Sequence, residues 1–272
     1  MTIVLSHYSP EQIRFLKERK ERINDWEYIG HLPRQVAMID RGEGSFDGCL
    51  SNLKRLHEDI ANYAWFGNRD LATFKLQSYL SAKFLYMIAK ATSEEGVMRE
   101  AEYFYALLSD HEPVIRWMMQ QSPHSTLFKQ RMVNPTQNEY RYYQLTLALN
   151  GQWNDLGSRA EMFLQDVPAK MKKYAPDMRF YLALAQQDKA GMESALAELT
   201  SPKVAKVRNE VFELVVPSQF VSPFACLYAK AARRYGFELD VDTALIPKEW
   251  LPVSPLPAYL DPYEFMRSWS IV

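Results

Sequence analysis

Apolar residues recur three and four positions apart along most of the chain, the spacing of amphipathic helices. Ser9-Pro10-Glu11-Gln12 opens the first. Ser9 caps it, Pro10 suits the first turn and Gln12 reaches back, and Ile13, Leu16, Ile23 and Trp26 mark one face. A second helix follows Gly44 and Gly48, with Cys49, Leu53, Leu56, Ile60 and Tyr63 on its stripe. Leu76, Leu80, Phe84, Met87 and Ile88 define a third, apolar enough to be central in the fold. Ser93 is expected to cap a fourth, burying Val97, Ala101, Phe104, Tyr105 and Leu108. Asp110-His111-Glu112-Pro113 reads as a break and a new start. Between Gln121 and Asn134 the pattern weakens, and Pro123 and Pro135 bracket the segment. Thr136-Gln137-Asn138-Glu139 then reads as a second capping box, with Tyr140, Tyr143 and Leu147 inward. Ser222-Pro223 begins the last long helix, bearing Phe224, Leu227, Tyr228, Ala231 and Tyr235, and Gly236 ends it.

Three stretches have the chemistry of turns between helices: Phe66 to Leu71, Asn150 to Leu156, and Gln186 to Gly191. The last two are close to the period of helix-pair repeats, although the tetratricopeptide consensus is absent. After Gly236, Phe237 to Val241 alternates apolar and acidic residues, as a short extended segment would. Pro247, Pro252, Pro255, Pro257 and Pro262 rule out a continuous helix at the C-terminal end. That tail also carries Trp250, Leu256, Tyr259, Tyr263, Phe265 and Trp269, too apolar to dangle. The expected fold is all-α: stacked antiparallel helix pairs with a Pro-rich aromatic C-terminal tail packed on the helical body. It is expected as a single domain over 1–272, with 1–121 (N-terminal helices) and 136–272 (C-terminal helices plus tail) as a candidate subdivision.

Composition narrows the chemistry. The 272 residues carry 32 basic and 33 acidic side chains, a formal net charge of −1. The basic excess that supplies most nucleic-acid affinity is missing. Two cysteines, Cys49 and Cys226, make no disulfide framework and sit in apolar helical contexts, where a buried thiol is expected. The first ten residues have no basic n-region, and no window approaches eighteen uninterrupted apolar residues. Both observations point to a cytoplasmic protein with no membrane partner. The five histidines, His7, His31, His57, His111 and His124, include no pair with metal-ligand spacing. His57-Glu58-Asp59 would fan apart on a helix. The Gly42–Gly48 cluster lacks the lysine of a phosphate loop, and Glu43 would repel phosphate. No G-x-S-x-G elbow occurs. No catalytic residue, metal or cofactor is therefore expected.

What remains is binding. From Gly236 onward six acidic residues stand against Lys248 and Arg267, and Glu238, Asp240 and Asp242 alternate. These three, with Trp250 as an aromatic anchor, are the candidate partner-binding residues, suited to steering toward a basic surface. The helix ending Ala231-Ala232-Arg233-Arg234-Tyr235-Gly236, the run Glu238-Leu239-Asp240-Val241-Asp242 and the run Leu245-Ile246-Pro247-Lys248-Glu249-Trp250-Leu251 resemble the immunity protein 49 family. The resemblance extends over Tyr140 to Leu251. It implies an all-helical protein that neutralises a cognate toxin in the cytosol by binding it. A helical-repeat adaptor for endogenous partners is the alternative. An enzyme assembled from distant residues is a third reading, and it would require a deep pocket of convergent titratable groups.

Overall fold

In the computed structural model, the described residues are 8–28, 30–92, 98–123 and 125–271. They are all-α: fourteen α-helices, short 3-10 and π turns, and no strand among the described residues. The chain divides into two compact units. Unit 1 holds residues 1–95, 108–117 and 254–272, and unit 2 holds 96–107 and 118–253.

Unit 1 begins with α1 (Pro10–Tyr28), α2 (His31–Arg41), α3 (Phe46–Asn62) and α4 (Leu71–Thr92). The cap of α1 forms as expected: Ser9 N donates to Gln12 Oε1 at 2.9 Å and Gln12 N donates to Ser9 Oγ at 3.2 Å. Helix α2, bounded by left-handed Gly30 and Gly42, has no counterpart in the sequence analysis, although Leu32, Val36 and Ile39 fall on one face of it; of these only Ile39 is buried. Ser45 caps α3 by accepting from Gly48 N, so the glycine cluster is the start of a helix. Helix α3 ends in a wider π turn over Tyr63–Gly67. Asp70 then caps α4, accepting from Thr73 N at 3.0 Å. Helices α3 and α4 pack along their lengths, burying Leu50, Leu53 and Leu56 against a helix whose Phe74, Phe84 and Met87 are fully enclosed.

Helices α5 (Glu100–Ser109) and α6 (Glu112–Met119) carry the chain from one unit to the other. Ser93 and Val97, assigned above to the start of the fourth helix, lie outside the described residues, as do His7 and His124. Unit 2 continues with α7 (Thr126–Met132), α8 (Asn138–Leu149), α9 (Trp153–Gln165), α10 (Ala175–Ala185), α11 (Lys189–Leu199), α12 (Pro202–Asn209), α13 (Val215–Ser218) and α14 (Pro223–Arg234). Helix α7 buries no residue, which explains why the apolar period fades there. The capping box at Thr136 does not form. Thr136 N instead donates to Asn134 Oδ1, Glu139 pairs with Arg131 at 3.0 Å, and Gln137 precedes α8 without a side-chain cap.

Helix α10 packs against both α9 and α11. The approach is close because glycines face alanines: a Cβ on Gly191 would lie 2.9 Å from the Ala183 Cβ, and one on Gly157 3.3 Å from that of Ala185. At Gly191 the missing Cβ is therefore what lets the two backbones meet. An aromatic chain crosses the core of unit 2. Phe104 meets Trp250 at 6.0 Å and Phe212 at 5.8 Å, and Phe212 meets Phe224 at 4.8 Å. Such edge-to-face pairs each add about 0.5–1.5 kcal/mol beyond area burial.

Candidate partner-binding surface

The acidic segment leaves α14 through Gly236, whose φ of +85° is left-handed and suits glycine. Residues 237–243 then run without helix or strand, closing in a tight turn where Thr243 N donates to Val241 O at 3.0 Å. Glu238, Asp240 and Asp242 are exposed, while Phe237, Leu239 and Val241 are half-buried, so the alternation in sequence becomes a ribbon with an acidic outer edge. Asp240 N donates to Glu193 Oε1 of α11 at 2.8 Å, which pins the ribbon to the helical body. The three carboxylates are not equivalent. Glu238 is engaged by Arg233 at 2.5 Å, whereas Asp240 and Asp242 have no ionic partner among the described residues.

Beside the ribbon lies an open groove of about 230 Å³. Ala229, Phe237, Leu239, Leu251 and Pro252 line it with apolar surface, and Arg233, Glu238, Asp240 and Lys248 supply its charge. Its far wall is fixed from beneath. The Lys230 ammonium, fully buried on α14, donates to Trp250 O at 2.9 Å and Pro252 O at 2.8 Å. Two further bonds, from Ser222 N and from the Cys226 thiol to Leu245 O, tie the preceding stretch to α14. Trp250 lies in the core below the groove, 1% exposed and edge-on to Phe104. Its place is that of a support for the wall, while the ribbon carboxylates face outward. Sequence reading passed over Lys230, although a lysine among Ala229, Ala231 and Ala232 on an apolar helix face is a visible signal of a buried amine.

A second constellation, in unit 1, also went unread. Lys75, Tyr79, Lys83 and Tyr86 share one face of α4, and every one of their polar tips takes a group from residues 254–271. Lys75 Nζ donates to Ser254 O at 2.5 Å and to Asp110 Oδ2 at 2.7 Å. Asp110 belongs to the stretch expected to break one helix and start the next. It sits at φ +59°, 2% exposed, with its carboxylate on Lys75. Tyr79 Oη donates to Asp261 at 2.9 Å, Lys83 pairs with Asp261, and Tyr86 Oη donates to Ser270 O at 3.0 Å. The expected fanning of His57, Glu58 and Asp59 is observed. His57 sits between Gln77 and Tyr263, Glu58 binds Lys54, and Asp59 binds Arg22 at 3.2 Å. Burial lowers the His57 imidazole to about 4 despite the bond with Gln77. His111, packed on Tyr79 and Tyr259, is likewise lowered to about 4 by burial and then by Lys83.

Unit 2 encloses a balanced ionic layer. Arg141 pairs with Glu100, and Arg208 donates to Asp177 at 2.7 Å, where the Tyr228 hydroxyl also donates at 2.5 Å. Both guanidinium groups lie over the same two rings. Arg141 is 4.6 Å from Tyr174 and 5.3 Å from Phe224, and Arg208 is 4.5 Å and 4.0 Å from them. Burial raises the Glu100 carboxyl, opposed by Arg141. Burial is the largest single influence on Arg141 and works against its charge, but Glu100, Tyr228, Asp177 and Tyr174 together outweigh it and the arginine is held charged. Cys49 and Cys226 are both buried, and burial pushes the Cys226 thiol up, away from nucleophilic use.

Among the described residues no three His, Cys, Asp or Glu side chains are grouped to hold a metal ion, and no helix is long and apolar enough to cross a membrane. The two shifted histidines lie under residues 254–271 and do not line the groove in unit 2. A family model described as immunity protein 49 matches residues 72–250, starting well before the Tyr140 at which the short motifs become readable. No curated protein and no solved structure matches the chain.

Proposed function

The chain belongs to the immunity protein 49 family, and from that premise we propose that it acts without catalysis in the cytosol, binding a cognate bacterial toxin and neutralising it. The family match over 72–250 carries this reading. The ribbon Glu238, Asp240 and Asp242, with the adjoining groove, is the proposed contact surface, and Trp250 is its support from within the core. Asp240 and Asp242 are exposed carboxylates without an ionic partner among the described residues. A lysine or arginine of the toxin would lay its aliphatic stem on Leu239 and Leu251 and present its charge to Asp240. Desolvating that contact is worth more than a rim ion pair, and it gives the toxin a basic, partly apolar contact patch. The balanced charge of the chain favours a protein partner over nucleic acid or membrane. A standard interface buries about 1,600 Å², of which the groove and ribbon would be the centre.

Survival of cells tests the reading. The product of the adjacent gene is expressed with and without this chain. Killing that the chain abolishes is the expected result, and it identifies the partner at once. Death despite expression of both proteins would remove the immunity reading and leave the helical adaptor.

A further inference from the structure

Residues 254–271 behave as a bound ligand of α4. They contain no α-helix, only the 3-10 turn Glu264–Ser268, Met266 is their one buried residue, and Pro255, Pro257 and Pro262 keep the stretch before that turn out of helix. Their docking is made by the tips of long side chains. In order along α4, Lys75 takes Ser254 O, Tyr79 and Lys83 take the two oxygens of Asp261, and Tyr86 takes Ser270 O. Segment and helix therefore run in the same direction, and the four receptor positions fall on one helical stripe. Two flanking contacts complete the seat. Tyr259 Oη donates to Ser109 O at 2.5 Å, and Tyr263 meets His57 Nε2 at 3.0 Å. Asp261 is held by two side chains of the α4 stripe at once, and one of those, Lys83, is 5% exposed; Ser254 is also held twice, its O by Lys75 and its N–H by Asp110 at 3.3 Å.

Two observations mark this segment as separable. The receptor stripe lies inside the family match at 72–250, while the docked segment begins after it ends. The chain also passes from unit 2 to unit 1 between Val253 and Ser254, within a stretch bearing Pro252, Pro255 and Pro257. A short stiff connection beside a self-contained docking segment is the arrangement from which identical elements exchange between copies.

We propose that the α4 stripe Lys75–Tyr79–Lys83–Tyr86 is a binding site for an extended, aspartate-bearing peptide, filled by the chain's own residues 254–271 and open to the same segment of a second copy. Recognition centres on the Asp261 carboxylate between Tyr79 and Lys83. The inference does not depend on the toxin reading.

A charge swap in the full-length chain tests it. K83E and D261K each place like charges at the clasp, so each alone should be monomeric with a protease-sensitive tail. K83E/D261K in one chain restores the pair and should restore protection. Mixing K83E with D261K offers each tail a matching receptor only on the other copy. The expected product is a one-to-one heterodimer in sedimentation velocity with both tails protected. A mixture that stays monomeric with open tails overturns exchange, and a double variant with an open tail overturns the clasp. A second measurement does not depend on K83E folding: a labelled peptide of residues 254–271 is titrated onto full-length D261K and onto the parent. Binding at least about tenfold tighter to D261K is expected, since its own tail no longer competes. Equal affinity for the two chains, or no binding to D261K, would also overturn the proposal.

Discussion

At the scale of single residues, burial decides behaviour more than residue type does. His57 is an ordinary helix histidine by sequence, yet its enclosure by Gln77, Phe84 and Tyr263 keeps it neutral. A folded-state pKa of about 4 lies below the unfolded value, so the unfolded chain binds the proton first. The stability that His57 contributes is complete above the unfolded pKa of about 6.5 and is lost as pH falls toward 4, on the order of 3 kcal/mol in all. Urea midpoints of the parent and of His57→Gln, measured near neutrality and near pH 5, should show a shallower acid loss in the variant. Identical losses would mean that the histidine is not neutral in the fold. Arg208 makes the complementary point. Removing one member of a buried pair strands the other, so Arg208→Met should cost about 3–5 kcal/mol in urea unfolding, while Arg208→Met with Asp177→Leu should recover much of it. If the double variant is no more stable than the single one, Asp177 is satisfied by Tyr228 alone and the pair is not a unit.

At the scale of elements, the same pattern of apolar and polar positions reads differently according to what it packs on. Alternation at Phe237 to Asp242 gives an outward acidic edge only because the half-buried partners face the body and Glu193 holds Asp240 in place. Charge reversal at Asp240 and Asp242 together should slow association with the toxin by about tenfold or more at low salt, and the difference should shrink as salt rises. Stopped-flow rates that do not change would sink the ribbon as the contact surface. Glu238→Lys alone should matter less, because Arg233 already occupies that carboxylate. The stripe on α4 shows the converse. Leu80, Phe84 and Met87 were legible as core, whereas nothing local marks the adjacent Lys75 and Lys83 as buried, because their partners Ser254 and Asp261 lie 179 and 178 positions away.

At the scale of the whole molecule, the net charge of −1 leaves no global field, so any steering toward a partner is local to the ribbon, and cell survival is the readout that integrates it. The sequence by itself determined that the chain is helical, because apolar spacing is set within one helix and needs no distant partner. It also determined the cap at Ser9, the turns at Asp70 and Asp188, and the start of the last helix at Pro223, since caps and turns are local hydrogen bonding. The short surface helix α7 escaped it, because it buries nothing that would impose a period. Only the tertiary structure decided which charges are spent. Lys230 on the carbonyls of Trp250 and Pro252, Arg208 on Asp177, and Lys83 on Asp261 join residues 20, 22, 31 and 178 positions apart. No sequence pattern encodes such pairs, since a buried charge is defined by a partner that the fold brings to it.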